Sequence, residues 1–168
     1  MRLLILSCNT GEGHNSAAKA IKECFLNNND ECDIKDALAF WSPEKSRLIS
    51  KGHVLIYRKF PKLFGVSYRF EENHKGSVVY KIFAKYSDAM YNVIKEGGYD
   101  VVLSVHVFPA LMLTKLEDKL KNKVTTAFVC TDYTCSPGVS LSSLDWYFIP
   151  HEKLSQEFES NGIDINKI

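Results

Sequence analysis

Nowhere does this 168-residue chain approach the roughly 18 consecutive apolar residues of a membrane-spanning helix, so a transmembrane helix is excluded. The short apolar stretch after Arg2 runs straight into a glycine turn, which is not the pattern of a secretory signal peptide. An excess of charge of either sign is also missing. With a net charge of +1, no global field points to nucleic acid. Cys8, Cys24, Cys32, Cys130 and Cys135 form no CxxC pair and no Cys/His cluster at zinc spacing. An odd number of thiols, several within apolar runs, fits a reducing cytosol rather than a disulfide framework. The chain is too short for two full α/β domains but long enough for one sizeable core. With 45% hydrophobic and 24% charged residues, its composition is that of an ordinary globular domain.

What is present is organised around the first 25 residues, MRLLILSCNTGEGHNSAAKAIKECF. Leu3 to Leu6 form the continuous apolar run of a strand covered on both faces. Cys8 to Gly13 supply a turn, and from Ser16 the residues Ala17, Ala20, Ile21, Cys24 and Phe25 fall at helical spacing. Gly11 and Gly13 would let the backbone turn sharply and approach a ligand, and the first N–H groups of the helix would point into the same space. His14 stands at the mouth of that space, where an imidazole can take a proton from a hydroxyl. GEGH is neither the GxGxxG fingerprint nor the GxxxxGK[ST] loop. By spacing alone it reads equally as a phosphate site or as a tight turn with a surface histidine.

Strands start near residues 2, 33, 100, 124 and 145, alternating with helices, and this indicates an α/β three-layer domain with a mainly parallel sheet. The stretch from about 42 to 96 reads as a mostly helical insertion, ending in an amphipathic helix from Ser77 to Glu96 that Gly97 and Gly98 stop. His106 comes directly after the strand Val101 to Val105, at the edge where open α/β sheets place ligands. It is equally suited to cap the helix that Pro109 opens. Asp132 comes just after the strand Val124 to Val129, either as a carboxylate that orients a histidine or binds a hydroxyl, or as an Asx-type cap.

From Lys45 to Phe70 there is no Asp or Glu. Arg58, Lys59, Lys62 and Arg69 alternate there with aromatic residues that include Phe60, Phe64 and Tyr68. This composition suits an anionic membrane surface, where each basic residue contributes about 1 kcal/mol. It also suits a solvated basic face with an aromatic core side, or a nucleic acid.

SCNTGEGHNSAAKAI resembles the opening motif of the monogalactosyldiacylglycerol synthase and processive diacylglycerol glucosyltransferase family. These are inverting GT-B enzymes that move a sugar from a UDP-sugar to a lipid. Where the family usually has a glycine this chain has Glu12, and the His-Pro-aromatic group that usually comes after the TD pair is replaced by Ser136, Pro137 and Gly138. The resemblance covers nearly the whole chain. It implies a Rossmann-like N-terminal half of a GT-B glycosyltransferase, with the C-terminal UDP-sugar domain absent and this half alone inactive. It further implies His14 as general base and Asp132 as a second catalytic residue, with Gly11, Glu12 and Gly13 near the donor phosphates and His106 on the acceptor side. Diacylglycerol would be the acceptor and an anionic lipid surface the partner of the basic stretch. That places the protein in the cytoplasm, peripheral on the inner face of the plasma membrane. No metal and no cofactor besides the UDP-sugar substrate are implied, and no nucleic-acid partner. A muramyl-transferase-like enzyme with another lipid acceptor, and a noncatalytic phosphate- or lipid-binding module of flavodoxin-like shape, fit the same residues.

Overall fold

Continuous apolar runs become central strands because both of their faces are covered. In the computed structural model, which describes residues 1–9, 12–40, 86–136 and 138–168, three such runs form the centre of a five-stranded sheet. Its strands are β1 (Arg2–Ser7), β2 (Glu31–Asp36), β3 (Val101–Ser104), β4 (Thr125–Val129) and β5 (Trp146–Phe148). Every pairing is parallel and the order is β2-β1-β3-β4-β5. The described helices are α1 (Glu12–Asn27), α2 (Ser87–Gly97), α3 (Val107–Lys115), α4 (Glu117–Leu120) and α5 (Ser155–Ser160). This is the Rossmann-like α/β architecture expected from the alternation of elements.

Strand alternation divides the core in two. Leu3 and Ile5 of β1, Leu103 of β3 and Ala127 of β4 pack with Ala18 of α1 on one face. Leu4 and Leu6, Val102, Phe128 and Tyr147 pack on the other with Met90 and Ile94 of α2, Met112 and Leu113 of α3, and Phe158 of α5. Helices α1 and α2 therefore lie on opposite faces, and the strand order reverses between β1 and β3. A crevice opens there, outside the carboxyl ends of the two strands.

Three boundaries differ from expectation. The first helix starts at Glu12, so Gly13 lies inside its first turn and not in the turn before it. Glu12 places a negative charge at the positive end of the helix dipole, which favours an early start. The second strand, expected over Cys32 to Leu38, ends at Asp36, whose carboxylate accepts from the Leu38 N–H at 3.0 Å and turns the chain into a 3-10 helix, Ala37–Phe40. The amphipathic helix expected from Ser77 to Glu96 is, among the described residues, Ser87–Gly97 with Tyr86 as its N-cap. The part of the expected helix before Tyr86 and the rest of the expected 42–96 insertion lie outside the described residues, as do Gly11 and the basic and aromatic residues Arg58, Lys59, Phe60, Lys62, Phe64, Tyr68 and Arg69.

At the opposite, amino edge of the sheet a polar cluster fixes the strands. The Tyr99 hydroxyl donates to Asp33 at 2.7 Å, the Arg2 guanidinium lies 5.0 Å from the Tyr99 ring centre, and the Arg2 N–H donates to Asp100 at 2.7 Å. Burial, then the hydrogen bond to Asp33, push the Tyr99 phenol up to about 12, so it remains a donor at neutral pH. The two glycines that end α2 serve different needs. Gly98 takes the left-handed conformation with φ 61°, which closes the helix. Gly97 faces the Tyr99 ring, and a Cβ there would stand 2.1 Å from it. Because the ring is held at its hydroxyl and over its face, it has little room to move aside. Gly97→Ala is accordingly expected to cost about 1–3 kcal/mol through overpacking, and Gly98→Ala about 1 kcal/mol through backbone strain. Urea unfolding of both variants checks this, and a wild-type midpoint for Gly97→Ala would contradict the packing argument.

Candidate active site

Strands β1, β3 and β4 are neighbours, so the segments leaving their carboxyl ends collect at one edge. From β1 come Ser7, the polar turn and α1. Ser7 is buried, and its hydroxyl donates to the Asn15 side-chain oxygen Oδ1 at 2.8 Å, while the Asn15 side-chain Nδ2 donates to Asn9 Oδ1 at 3.3 Å. These contacts tie the start of α1 to the end of the strand that feeds it. His14 sits in that braced first turn.

The His14 imidazole crosses the crevice. Its Nδ1 lies 2.8 Å from the Val105 carbonyl oxygen, just past β3, and 2.8 Å from the Thr131 hydroxyl, just past β4. A carbonyl oxygen can only accept, so Nδ1 carries the proton and donates it to Val105, with Thr131 Oγ1 as second acceptor. In the neutral ring the lone pair then resides on Nε2. Nδ1 is fully engaged by protein, and Nε2 is the atom left to act as a base.

His106 both caps and lines the site. It is the N-cap of α3 in an extended conformation, and its Nδ1 accepts from the Phe108 N–H at 3.1 Å. An accepting Nδ1 places the proton of a neutral ring on Nε2. The ring is only 9% exposed and meets the His14 ring edge-on, with centres 4.6 Å apart and planes at 65°. Capping and proximity to the site, left as alternatives by the sequence, are one arrangement. The two imidazoles hold opposite tautomers.

Asp132 is placed differently. Its carboxylate is exposed and accepts from the Ser136 hydroxyl at 2.8 Å, within the loop after β4. The residue of the TD pair that touches His14 is Thr131. The Cys130 thiol donates to the Asp132 carbonyl at 3.1 Å inside the same loop. Burial pushes the thiols of Cys130 and Cys135 up to about 11, and that of Cys8 well above its ordinary range, so at neutral pH these thiols stay protonated. Among the described residues no three His, Cys, Asp or Glu side chains converge on a metal position, and no helix is long and apolar enough to cross a membrane.

Sequence reasoning missed Thr131, the Val105 carbonyl and the Ser7–Asn15–Asn9 brace. The polar residues flanking GEGH were the available signal for the brace. A backbone carbonyl gives none. Tyr133, 79% exposed in the loop after β4, and Phe148, 56% exposed at the end of β5, add an apolar fringe to this edge.

The sequence model of the family described as monogalactosyldiacylglycerol (MGDG) synthase matches residues 14–168, a span that starts at His14 and includes Val105, His106, Thr131 and Asp132. A glycosyltransferase of Bacillus subtilis (strain 168), YkoN, itself described as uncharacterized, is 24% identical over 161 residues, covering 93% of this chain and 42% of the relative. The chain thus spans less than half the length of that curated relative. No solved structure gives a significant match. The chain belongs to the MGDG synthase family, a family of glycosyltransferases.

Gly13 supplies a test of the space beside the helix start. A Cβ at Gly13 would meet nothing within 4 Å. In the protein alone, Gly13→Ala should raise helix stability by up to about 1 kcal/mol. If a phosphate approaches the first turn closely, the same substitution should weaken binding of a nucleoside diphosphate sugar. Thermal melting with and without UDP-sugar separates the two effects, and a destabilised free protein would contradict the open space.

Proposed function

We propose that this domain forms the acceptor side of an inverting UDP-sugar:diacylglycerol glycosyltransferase, with His14 as the general base. The observation that carries the reading is the engagement of His14 Nδ1 by Val105 and Thr131, which puts the basic lone pair of the neutral ring on Nε2. The lipid hydroxyl gives its proton to Nε2, and its oxygen attacks the anomeric carbon on the face opposite the diphosphate. The bond from that carbon to the phosphate oxygen breaks, and UDP departs with the electron pair. Proton transfer of this kind contributes about 10²- to 10⁴-fold.

The first N–H groups of α1 bear the partial positive charge that suits the donor phosphates, and Glu12 and Gly13 occupy that first turn. Asp132 and His106, at the same edge, are assigned to the acceptor hydroxyls. Tyr133 and Phe148 suit the apolar part of a lipid or the interface on which it lies. The diacylglycerol acceptor is drawn from the family description, and the anionic membrane surface from the basic composition around Arg58 to Arg69. The GT-B arrangement assigns the donor to a second domain, so the 168 residues alone are expected to be silent.

The test is transfer of labelled sugar from UDP-glucose or UDP-galactose to diacylglycerol by the full-length enzyme. His14→Ala and His14→Gln should each lower turnover by about 10²- to 10⁴-fold while vesicle binding persists. Wild-type turnover in either variant would overturn the assignment of the base.

A further inference from the structure

The loop after β4 is held from outside the site. Its first residue past Cys130 is Thr131, whose hydroxyl lies 2.8 Å from His14 Nδ1. Further along, the Thr134 hydroxyl and the Cys135 N–H both donate to one oxygen of Glu157, at 2.6 and 2.7 Å. Those two bonds hold the Glu157 carboxyl below its ordinary range. Glu157 lies on α5, beside Phe158, which is fully buried in the core. Between the two ends, the Cys130 thiol and the Ser136–Asp132 bond brace the loop internally. Contact thus runs unbroken from the core through α5 and the loop to the imidazole.

We infer that Thr131 is a positioning residue for His14, and that Glu157 holds the loop so that Thr131 reaches it. The inference rests on the reading of His14 as base only for its effect on turnover. When Nε2 takes a proton, the ring becomes an imidazolium whose Nδ1–H faces two neutral oxygens, the Val105 carbonyl and Thr131 Oγ1. Both can accept. Together they orient the ring and receive its charge, with no carboxylate against Nδ1 among the described residues.

Two measurements test this. The first is solvent exchange of the His14 Nδ1 proton by NMR in the isotope-labelled chain, which needs no turnover. Thr131→Val, which keeps the shape and removes the oxygen, should speed exchange about tenfold, the equivalent of one lost hydrogen bond. Thr131→Ser should restore it to within about twofold, and Glu157→Ala should speed it in the same direction as Thr131→Val by a smaller factor. Melting temperatures show whether the variants fold, and if Thr131→Val does not, Thr131→Ser and Glu157→Ala decide. An unchanged exchange rate in Thr131→Val, or in Glu157→Ala, would overturn the corresponding half of the inference. The second is the transfer assay with the full-length enzyme, where Thr131→Val should lower kcat about tenfold at unchanged acceptor KM. A change confined to KM would overturn the positioning role. Absence of turnover in the wild type, with the exchange pattern intact, would count against the proposed reaction and leave the positioning of His14 standing.

Discussion

The hydrogen bond from His14 to the Val105 carbonyl is the constraint on which the functional edge depends. It spans the crevice at the reversal of strand order, joining the helix fed by β1 to the chain just past β3. It requires an imidazole in the first turn of α1, a β3 that ends one residue before its carbonyl turns outward, and a sheet in which those two strands are neighbours. Each requirement is met by the apolar runs that set the sheet. Because an accepting carbonyl forces the proton onto Nδ1, the fold itself fixes which nitrogen is basic. The chemistry of the site thus depends on backbone geometry as much as on side chains.

Much of this was legible in the sequence, for physical reasons. Strands such as Leu3 to Leu6 announce themselves because burial on both faces demands an unbroken apolar run, and the central strands β1, β3 and β4 lie where that pattern placed them. His106 was legible twice, as a cap and as a residue at a strand's carboxyl end, and the structure shows both. Boundaries were less visible. Gly13 reads as a turn residue by type, yet Glu12 starts the helix one residue before it. The pair of glycines at 97 and 98 reads as one stop signal, yet Gly97 answers to the Tyr99 ring, and no local pattern announces that contact. The partner of His14 is the finest detail that escaped. Thr131 and Asp132 adjoin in sequence, and the carboxylate looked the stronger partner by chemistry. Which of two successive side chains faces the crevice is decided by the turn of the loop, which Glu157 holds from 22 or more residues away.

The molecule also separates rigid from adjustable parts. His106 sits on a buried strand end with a helix capped upon it, so it has little freedom. The loop after β4 exposes Asp132 and Tyr133, and it is tied to the core by buried Cys130, by Cys135 packed against the core, and by the Glu157 carboxylate. Such a division leaves the His106 end of the site fixed, while the exposed part of the loop is free to vary between relatives.

The central claim is that His14 offers Nε2 to the reaction because its Nδ1 proton is committed to the protein. Long-range proton–nitrogen NMR of the imidazole side chains, in the neutral form of both rings, tests it most directly. His14 should be protonated on Nδ1 and His106 on Nε2. Protonation of His14 on Nε2 would mean that the lone pair faces Val105 and Thr131, and would contradict the assignment of His14 as the base.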